Sequence, residues 1–337
     1  MEMRKEPVAA KETFLPKDIE LGELKTANHL LDDRTQLDAA WQRDGYWFFT
    51  GLIDTAALSE IRGHVTRYLK EKGLIDPEVN DNRYNGSSLE NDQVTRAGLV
   101  RLLHFNRINL DRVFTENPSV DGLIKHLLGD TPFWLPQTDF RAVPPLSDPH
   151  ESRLTYPHQD GFYTPGIDMK TCWVPLDTID PEVGGCAWLE GLHHGPALHQ
   201  RYAPPDYRLR EIPTKGWKTS TFEPGDIVIF HLNLPHSGLT NISKDRFRLS
   251  FDIRVTGATG NTARVGNIVR LSQTQVSIIN RDTGEEQSFK ITDDTYVKDN
   301  SVMRKTGAEI PASFAVGDTV LVGVRGNHEA TALSPVH

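Results

Sequence analysis

The chain has 337 residues, a net charge of −9 and 37% hydrophobic residues, with a mean hydropathy of −0.45. This suits a soluble protein that buries one large core, or one large core and a small second domain. No apolar run approaches the roughly 20 residues of a membrane span, the charged opening MEMRKEPVAAKETF lacks a secretory signal, and the acidic balance disfavours nucleic acid as a partner. The two cysteines, Cys172 and Cys186, have no metal-ligand spacing and read as small buried strand residues in a reducing cytoplasm.

In chain order, residues 1–20 are polar and read as a flexible arm. Leu37–Trp41 reads as a short helix and Gly45–Phe49 as a strand. Asp54 is placed to cap a helix running to Lys72, with Leu58, Ile61, Val65 and Leu69 on one face. The stretch from Gly73 to Ala97, rich in Asn, Asp, Gly and Ser, is a long loop of the kind that often serves as a lid. A further helix is expected from Ser119 to Leu128, ended by Gly129. Short apolar runs then follow at Phe133–Leu135, Asp139–Val143, Lys170–Pro175, Gly185–Leu189, Asp226–Phe230 and Phe247–Val255. Their spacing suggests a sandwich or barrel, with Leu198–Thr221 as a surface excursion.

The small-residue stretch Gly257–Thr262 reads as a linker. Beyond it, Val265–Leu271, Gln275–Ile279, Gln287–Ile291, Thr295–Lys298 and Asp318–Val324, with a turn at Arg281–Gly284, are enough strands for a small OB-like β-barrel over residues 262–325, leaving 326–337 as a tail.

The chemistry centres on Tyr156-Pro157-His158-Gln159-Asp160-Gly161-Phe162. On a strand, His158 and Asp160 project from one face, offering an imidazole and a carboxylate to one ion. His236, directly after a strand opened by Glu223-Pro224-Gly225-Asp226, is the candidate third ligand. Two histidines and one carboxylate occupy one face of an octahedral ion and leave three positions open, the arrangement of non-haem Fe(II) oxygenases; a closed zinc site would want a fourth protein ligand. After His236, Phe247–Val255 alternates with period two. Its apolar members share one side, and Arg248 and Ser250 face the other, where they can hold the distal carboxylate of 2-oxoglutarate.

Over residues 36–256 the chain resembles the phytanoyl-CoA dioxygenase-like family. The resemblance rests on Asp44-Gly45-Tyr46, Pro157-His158-Gln159-Asp160, Trp173-Val174-Pro175-Leu176-Asp177, Gly184-Gly185-Cys186 running into Glu190-Gly191-Leu192-His193, Glu223-Pro224-Gly225-Asp226, and His236-Ser237-Gly238 with Asn241 before Arg248. It implies a mainly β fold: a double-stranded β-helix (jelly-roll, cupin-like) core over 21–257 with flanking N-terminal helices. It also implies Fe(II) on the triad and hydroxylation of a substrate coupled to decarboxylation of 2-oxoglutarate. By the same resemblance Gln159, Trp173 and Arg141 line the co-substrate pocket. Two departures stand out. Gly-Leu-His replaces the family's Gly-Ser-His, and the anchoring arginine falls ten residues after His236 at Arg246 or twelve at Arg248, the second being favoured by its Arg-x-Ser.

Phe162 and Tyr163 are candidate substrate walls. His231 is open between structural hydrogen bonding and substrate contact, and His193, His194 and His199 read as a polar surface loop. The expected partners are dioxygen and a free small metabolite such as a natural-product intermediate, with the C-terminal barrel as a possible homodimer contact. The rival reading is a non-catalytic metal-binding jelly roll whose barrel is an interaction module. Asp160 argues against halogenation, which needs a small residue at that position.

Overall fold

The computed structural model describes residues 19–78, 81–87, 100–102, 104–145, 157–195, 213–297, 310–326 and 328–336. The expected arm up to residue 18, much of the 73–97 loop, His199 and most of the 198–221 excursion lie outside these residues.

Helix starts follow local capping chemistry. In α1 (Arg34–Asp44) the Asp33 carboxylate accepts from the Gln36 amide, and Gly45 ends the helix at a φ of 81°. In α2 (Thr55–Glu71) Asp54 accepts from the Ala56 amide, as its position predicts. Two short helices, α3 (His104–Arg107) and α4 (Arg112–Thr115), precede α5 (Pro118–Leu128). In α5 Asn117 caps the amides of Ser119 and Val120, and Gly129 closes it in the left-handed region that a side chain resists.

The strands of the larger unit form two facing sheets. They are β1 (Leu21–Glu23), β2 (Tyr46–Phe49), β3 (Val100–Arg101), β4 (Pro132–Val143), β5 (Lys170–Pro175), β6 (Cys186–Leu189), β7 (Trp217–Thr219), β8 (Ile227–His231), β9 (His236–Gly238) and β10 (Arg248–Gly257). One sheet has the order β1-β7-β6-β9 and the other β2-β8-β5-β10-β4-β3. The two apolar runs expected at Phe133–Leu135 and Asp139–Val143 are one strand, β4. Its pairing with β10 shifts register between Ile253 and Arg254, which accommodates Pro136, a residue with no amide to give the ladder.

Side-chain parity sorts the larger sheet. Phe140 and Ala142 of β4, Cys172 and Val174 of β5, Ile227 and Ile229 of β8, and Leu249, Phe251, Ile253 and Val255 of β10 face outward beneath the helices. There they meet Leu37 and Trp41, Ile61 and Val65, Phe114, Ile124 and Leu127. The opposite parity, with Tyr46, Phe48, Trp173, Val228 and Phe230, faces the smaller sheet and packs on Trp188 and Phe222. This is a jelly roll with helices on one outer face, and its interior is where the polar residues of β10 project.

β10 runs through residues 258–262 into a second, smaller unit. Its strands are β11 (Ala263–Leu271), β12 (Gln275–Asn280), β13 (Glu286–Lys290), β14 (Tyr296–Val297), β15 (Thr319–Arg325) and β16 (Glu329–Pro335), with a short helix, α6 (Ile310–Ser313), before β15. The order β13-β12-β11-β15-β16 closes on itself through a parallel β13–β16 bridge at Lys290 and Glu329. The stretch read as a tail is therefore the closing strand. Ala330, Thr331, Ala332, Leu333 and Ser334 are all buried, and β16 pairs along β15 from Pro335 to Glu329. No described helix is long and apolar enough to cross a membrane.

A chain ending at Gly326 loses β16 and leaves β13 and β15 as open edges. Hydrogen exchange should then show amide protection lost in Gln275–Asn280 and retained in Arg248–Gly257; equal protection in both would mean the barrel does not need its last strand.

Candidate active site

His158 and His236 are tied backbone to backbone. Each amide donates to the other's carbonyl at 2.9 Å, an isolated antiparallel bridge that sets the two rings 4.2 Å apart. The His-x-Asp segment is not a regular strand: Asp160 opens a short 3-10 turn, Asp160–Phe162. Gln159 is extended, at φ −124° and ψ 128°, which sends His158 and Asp160 to the same side. Gly161 follows, and a Cβ there would displace the side-chain ends of Leu232 and Asn233. One ligand atom each from His158, Asp160 and His236 lies within 4.8 Å of the others. Asp160 Oδ1 is 3.5 Å from His158 Nε2 and 3.7 Å from His236 Nε2.

The remaining polar atoms of the triad are held from outside. His236 Nδ1 lies 3.0 Å from the Leu234 carbonyl, which assigns the proton to Nδ1 and leaves the Nε2 lone pair to an ion. Burial, then the neighbouring His158 ring, pushes the His236 pKa down to about 3, so the ring is neutral. Thr171 Oγ1 donates to Asp160 Oδ2 at 2.6 Å, and Arg254 Nη2 lies 3.7 Å from the same oxygen. Burial opposes ionisation of Asp160, but Arg254 and the two imidazoles outweigh it and hold the carboxyl well below its ordinary range. One oxygen is thus engaged by the protein and the other faces the imidazoles.

Arg248, Ser250, Asp252 and Arg254 occupy alternate positions of β10 and are all buried. Arg141 grips Asp252 with two bonds, Nε to Oδ1 at 2.6 Å and Nη2 to Oδ2 at 2.9 Å. Arg254 joins Asp139 at 2.9 Å and Asp252 at 2.8 Å. Burial lowers the pKa of both arginines, but the acids on them raise it further. Arg248 differs. Its Nη1 donates to the carbonyls of Gly184, Gly185 and Leu239, while its Nε and Ser250 Oγ are buried without a hydrogen-bond partner. Burial without a paired carboxylate brings the Arg248 pKa down to about 10. Two orphaned groups beside a cation fit an anionic oxygen supplied by a ligand. Arg246, the other candidate, pairs with Asp180 at 2.7 Å and Glu182 at 3.5 Å, half-exposed at the rim.

The other expected site residues separate. Gln159 is buried and its amide donates to the Asn233 carbonyl at 2.6 Å, a strut under the triad. Trp173 projects inward but stands edge-on to Phe222 and Trp188, at 4.8 and 5.8 Å. Arg141 also lies on the inner face, with its charge already matched by Asp252 and Asp139 rather than free for a co-substrate. Tyr163 stands 5.9 Å from the His158 ring and 5.3 Å from Phe162, beside the triad. His231 turns away from it: parity on β8 sends Phe230 inward against His236, at 4.6 Å. The His231 ring packs on Trp41 and His193, and its Nδ1 accepts from the Asn233 amide. His193 corrects the surface-loop expectation. It is 3% exposed and lies against Gly45, whose lack of a Cβ makes the room, while His194 is exposed.

Sequence reasoning missed Thr171, Asp139, Asp252, Arg254 and Trp188. The first four support the triad or balance its charge; Asp252 and Arg254 could have been found by continuing the period-two count beyond Ser250. Trp188 lies opposite His236 in the β6–β9 pairing, and its indole nitrogen is a further buried donor without a partner.

Residues 41–250 match the Phytanoyl-CoA dioxygenase (PhyH) family. The chain is 30% identical over 247 residues to the 1-deoxypentalenic acid 11-beta-hydroxylase of Streptomyces exfoliatus, covering 69% of this chain and 84% of that protein. The enzyme of the same description from Streptomyces arenae is 29% identical over the same coverage. Among solved structures, the epimerase SnoN in complex with Fe3+, alpha ketoglutarate and nogalamycin RO is 24% identical, with a TM-score of 0.49 over 68% of this chain and 85% of that one. EctD from S. alaskensis with 2-oxoglutarate and 5-hydroxyectoine is 17% identical, with a TM-score of 0.44 over 73% and 83%. The matched span runs from the Trp41 end of α1 to Ser250, past both histidines of the triad, and the chain belongs to the phytanoyl-CoA dioxygenase family of Fe(II)- and 2-oxoglutarate-dependent oxygenases.

Proposed function

We propose that the chain oxidises an unactivated C–H bond of a small-molecule metabolite, by hydroxylation or a related outcome, and releases succinate and CO2. His158, Asp160 and His236 hold Fe(II), and Arg248 with Ser250 receives the distal carboxylate of 2-oxoglutarate. The observation that carries this reading is the pair of orphaned groups, Arg248 Nε and Ser250 Oγ, on the inner face that also supports the triad. A bare metal-binding jelly roll has no use for a buried arginine whose Nε donor is left without a partner.

When bound, Fe(II) and 2-oxoglutarate supply a dioxygen-derived oxidant strong enough for an unactivated C–H bond. The protein's own part is orientation and exclusion of water. Thr171 and Arg254 fix the Asp160 carboxylate, and the Leu234 carbonyl fixes the His236 tautomer. Phe162 and Tyr163 present an aromatic wall next to His158, suited to a carbon skeleton. The relatives from Streptomyces are described as hydroxylases of 1-deoxypentalenic acid, which supports a small-molecule metabolite as substrate.

Two measurements test the reading. The wild-type chain, loaded anaerobically with Fe(II) and 2-oxoglutarate and then exposed to air with a metabolite panel, should release succinate. His158→Ala should lower that release by more than roughly 100-fold, beyond what loss of a supporting residue costs; full turnover in this variant would remove the triad. The two arginines should also part. Arg248→Gln should raise the KM for 2-oxoglutarate by more than about 30-fold, as expected for losing one partner of a buried charge pair. Arg246→Gln should change it by less than about threefold, because an exposed pair contributes about 0–1 kcal/mol; the reverse ranking would move the anchor to Arg246.

A further inference from the structure

The C-terminal barrel lies outside the family match, yet it is packed against the stretch of chain that leaves Asp160. Residues 161–169 form a strap from that ligand to β5, whose Thr171 returns to hydrogen-bond Asp160. The barrel touches this strap along its length. Tyr296 of β14, itself 1% exposed, stands 6.1 Å from Phe162 and 6.5 Å from Tyr163, edge-on to both, and Ala332 of β16 completes the cluster. Thr331 Oγ1 donates to the Pro165 carbonyl at 2.7 Å, and Thr262 Oγ1 to the Gly166 carbonyl at 2.6 Å. Gly166 takes a φ of 82°, and a Cβ there would collide with Thr331. Ile167 and Met169 then enter an apolar cluster with Ala263, Val265 and Leu321.

Every one of these contacts lies within nine residues of a triad member in sequence. One strap carbonyl is satisfied by a barrel hydroxyl and the next by Thr262 at the entry to the barrel, and the Tyr163 ring beside His158 is backed by a barrel ring. A module joined only through a linker would leave the strap to pack on the jelly roll alone. We propose that the barrel is a built-in part of the active site, in which Tyr296 and Thr331 are positioning residues that hold the Phe162–Met169 strap and so fix the Tyr163 wall and the Asp160 carboxylate. This rests on the reading of the triad as the iron site.

The test compares full-length variants by anaerobic Fe(II) titration and by the charge-transfer absorption of Fe(II) chelated by 2-oxoglutarate. Tyr296→Ala removes the supporting ring, and Thr331→Val removes the hydroxyl at nearly constant shape. Val276→Ala is the control, since Val276 is buried in the barrel core away from the strap and its truncation weakens the barrel without touching residues 161–169. Tyr296→Ala and Thr331→Val should weaken Fe(II) binding by about 10-fold, the lower end for loss of a residue that supports a ligand, and should broaden or shift the absorption. Tyr296→Phe should restore both. Val276→Ala should lower Tm and keep Fe(II) affinity within about twofold of wild type. Wild-type affinity and an unchanged band in both strap variants would overturn the proposal while leaving the iron site intact, and so would an equal loss in the Val276 control. Failure of the wild-type chain to bind Fe(II) and 2-oxoglutarate would overturn the iron site itself and this proposal with it.

Discussion

On the inner face of the larger sheet, the partly buried Arg141 and Asp139 meet the buried Asp252 and Arg254 in one charge network. A buried charge without a partner costs several kcal/mol, and removing one member of such a set is far more damaging than replacing all of it with apolar residues. That constraint reaches most of the larger unit. It requires β4 and β10 to pair in the register that sets Asp139 opposite Asp252 and Arg141 opposite Ser250. It places Thr171 opposite Arg254 on β5, where the hydroxyl and the guanidinium reach the same oxygen of Asp160. The outer face of β10 is fixed at the same time, because a one-residue slip would drive Leu249, Phe251, Ile253 and Val255 into the interior and four polar groups under the helices.

The orientation of Asp160 follows from this network and from the strap beyond it. The carboxylate sits at the start of a single 3-10 turn, with no regular strand to stiffen it. Its rigidity must come from its partners: Thr171 on one oxygen, the bridge between His158 and His236 behind it, and the barrel-held residues that follow. The link between the two units is also short and tied down, since Asp130 accepts from the Thr259 amide at 2.8 Å just before β11 begins.

Much of this was legible in the sequence wherever parity or capping decides the outcome. The alternation of Phe247–Val255 placed Arg248 and Ser250 on one face, and Asp54 and Gly129 marked helix ends, because these rest on local geometry alone. His158 and Asp160 share a side as expected, but through one extended residue rather than through a strand. What was not legible depends on partners far away in sequence. β16 was hidden because Glu329–Pro335 is built of small and polar side chains, and its burial comes from closing the barrel. His193 is buried because the left-handed turn at Gly45, about 150 positions earlier, leaves room for it. His231, open between structural hydrogen bonding and substrate contact, takes the first: parity sends it to the far face, where its Nδ1 accepts from the Asn233 amide.

The charges left over point to the ligand. With Arg141 and Arg254 cancelled by Asp139 and Asp252, and with His236 neutral, the described inner face keeps one anion at the triad, Asp160, and one cation farther along β10, Arg248. A divalent ion added at the triad leaves an excess of two positive charges, spread between the ion and Arg248. A molecule that carries two carboxylates separated by a short chain would cancel that excess, and Arg248 Nε and Ser250 Oγ are the groups proposed for the end away from the metal. A monoanion would leave Arg248 or the metal uncompensated in a buried setting, and a third carboxylate would meet no cation among these groups. Charge balance among these groups therefore favours a dicarboxylate, and the open positions of a two-histidine, one-carboxylate site suit a chelating keto acid. 2-Oxoglutarate meets both conditions, which is why the same four positions of β10 that constrain the fold also define what the interior can bind.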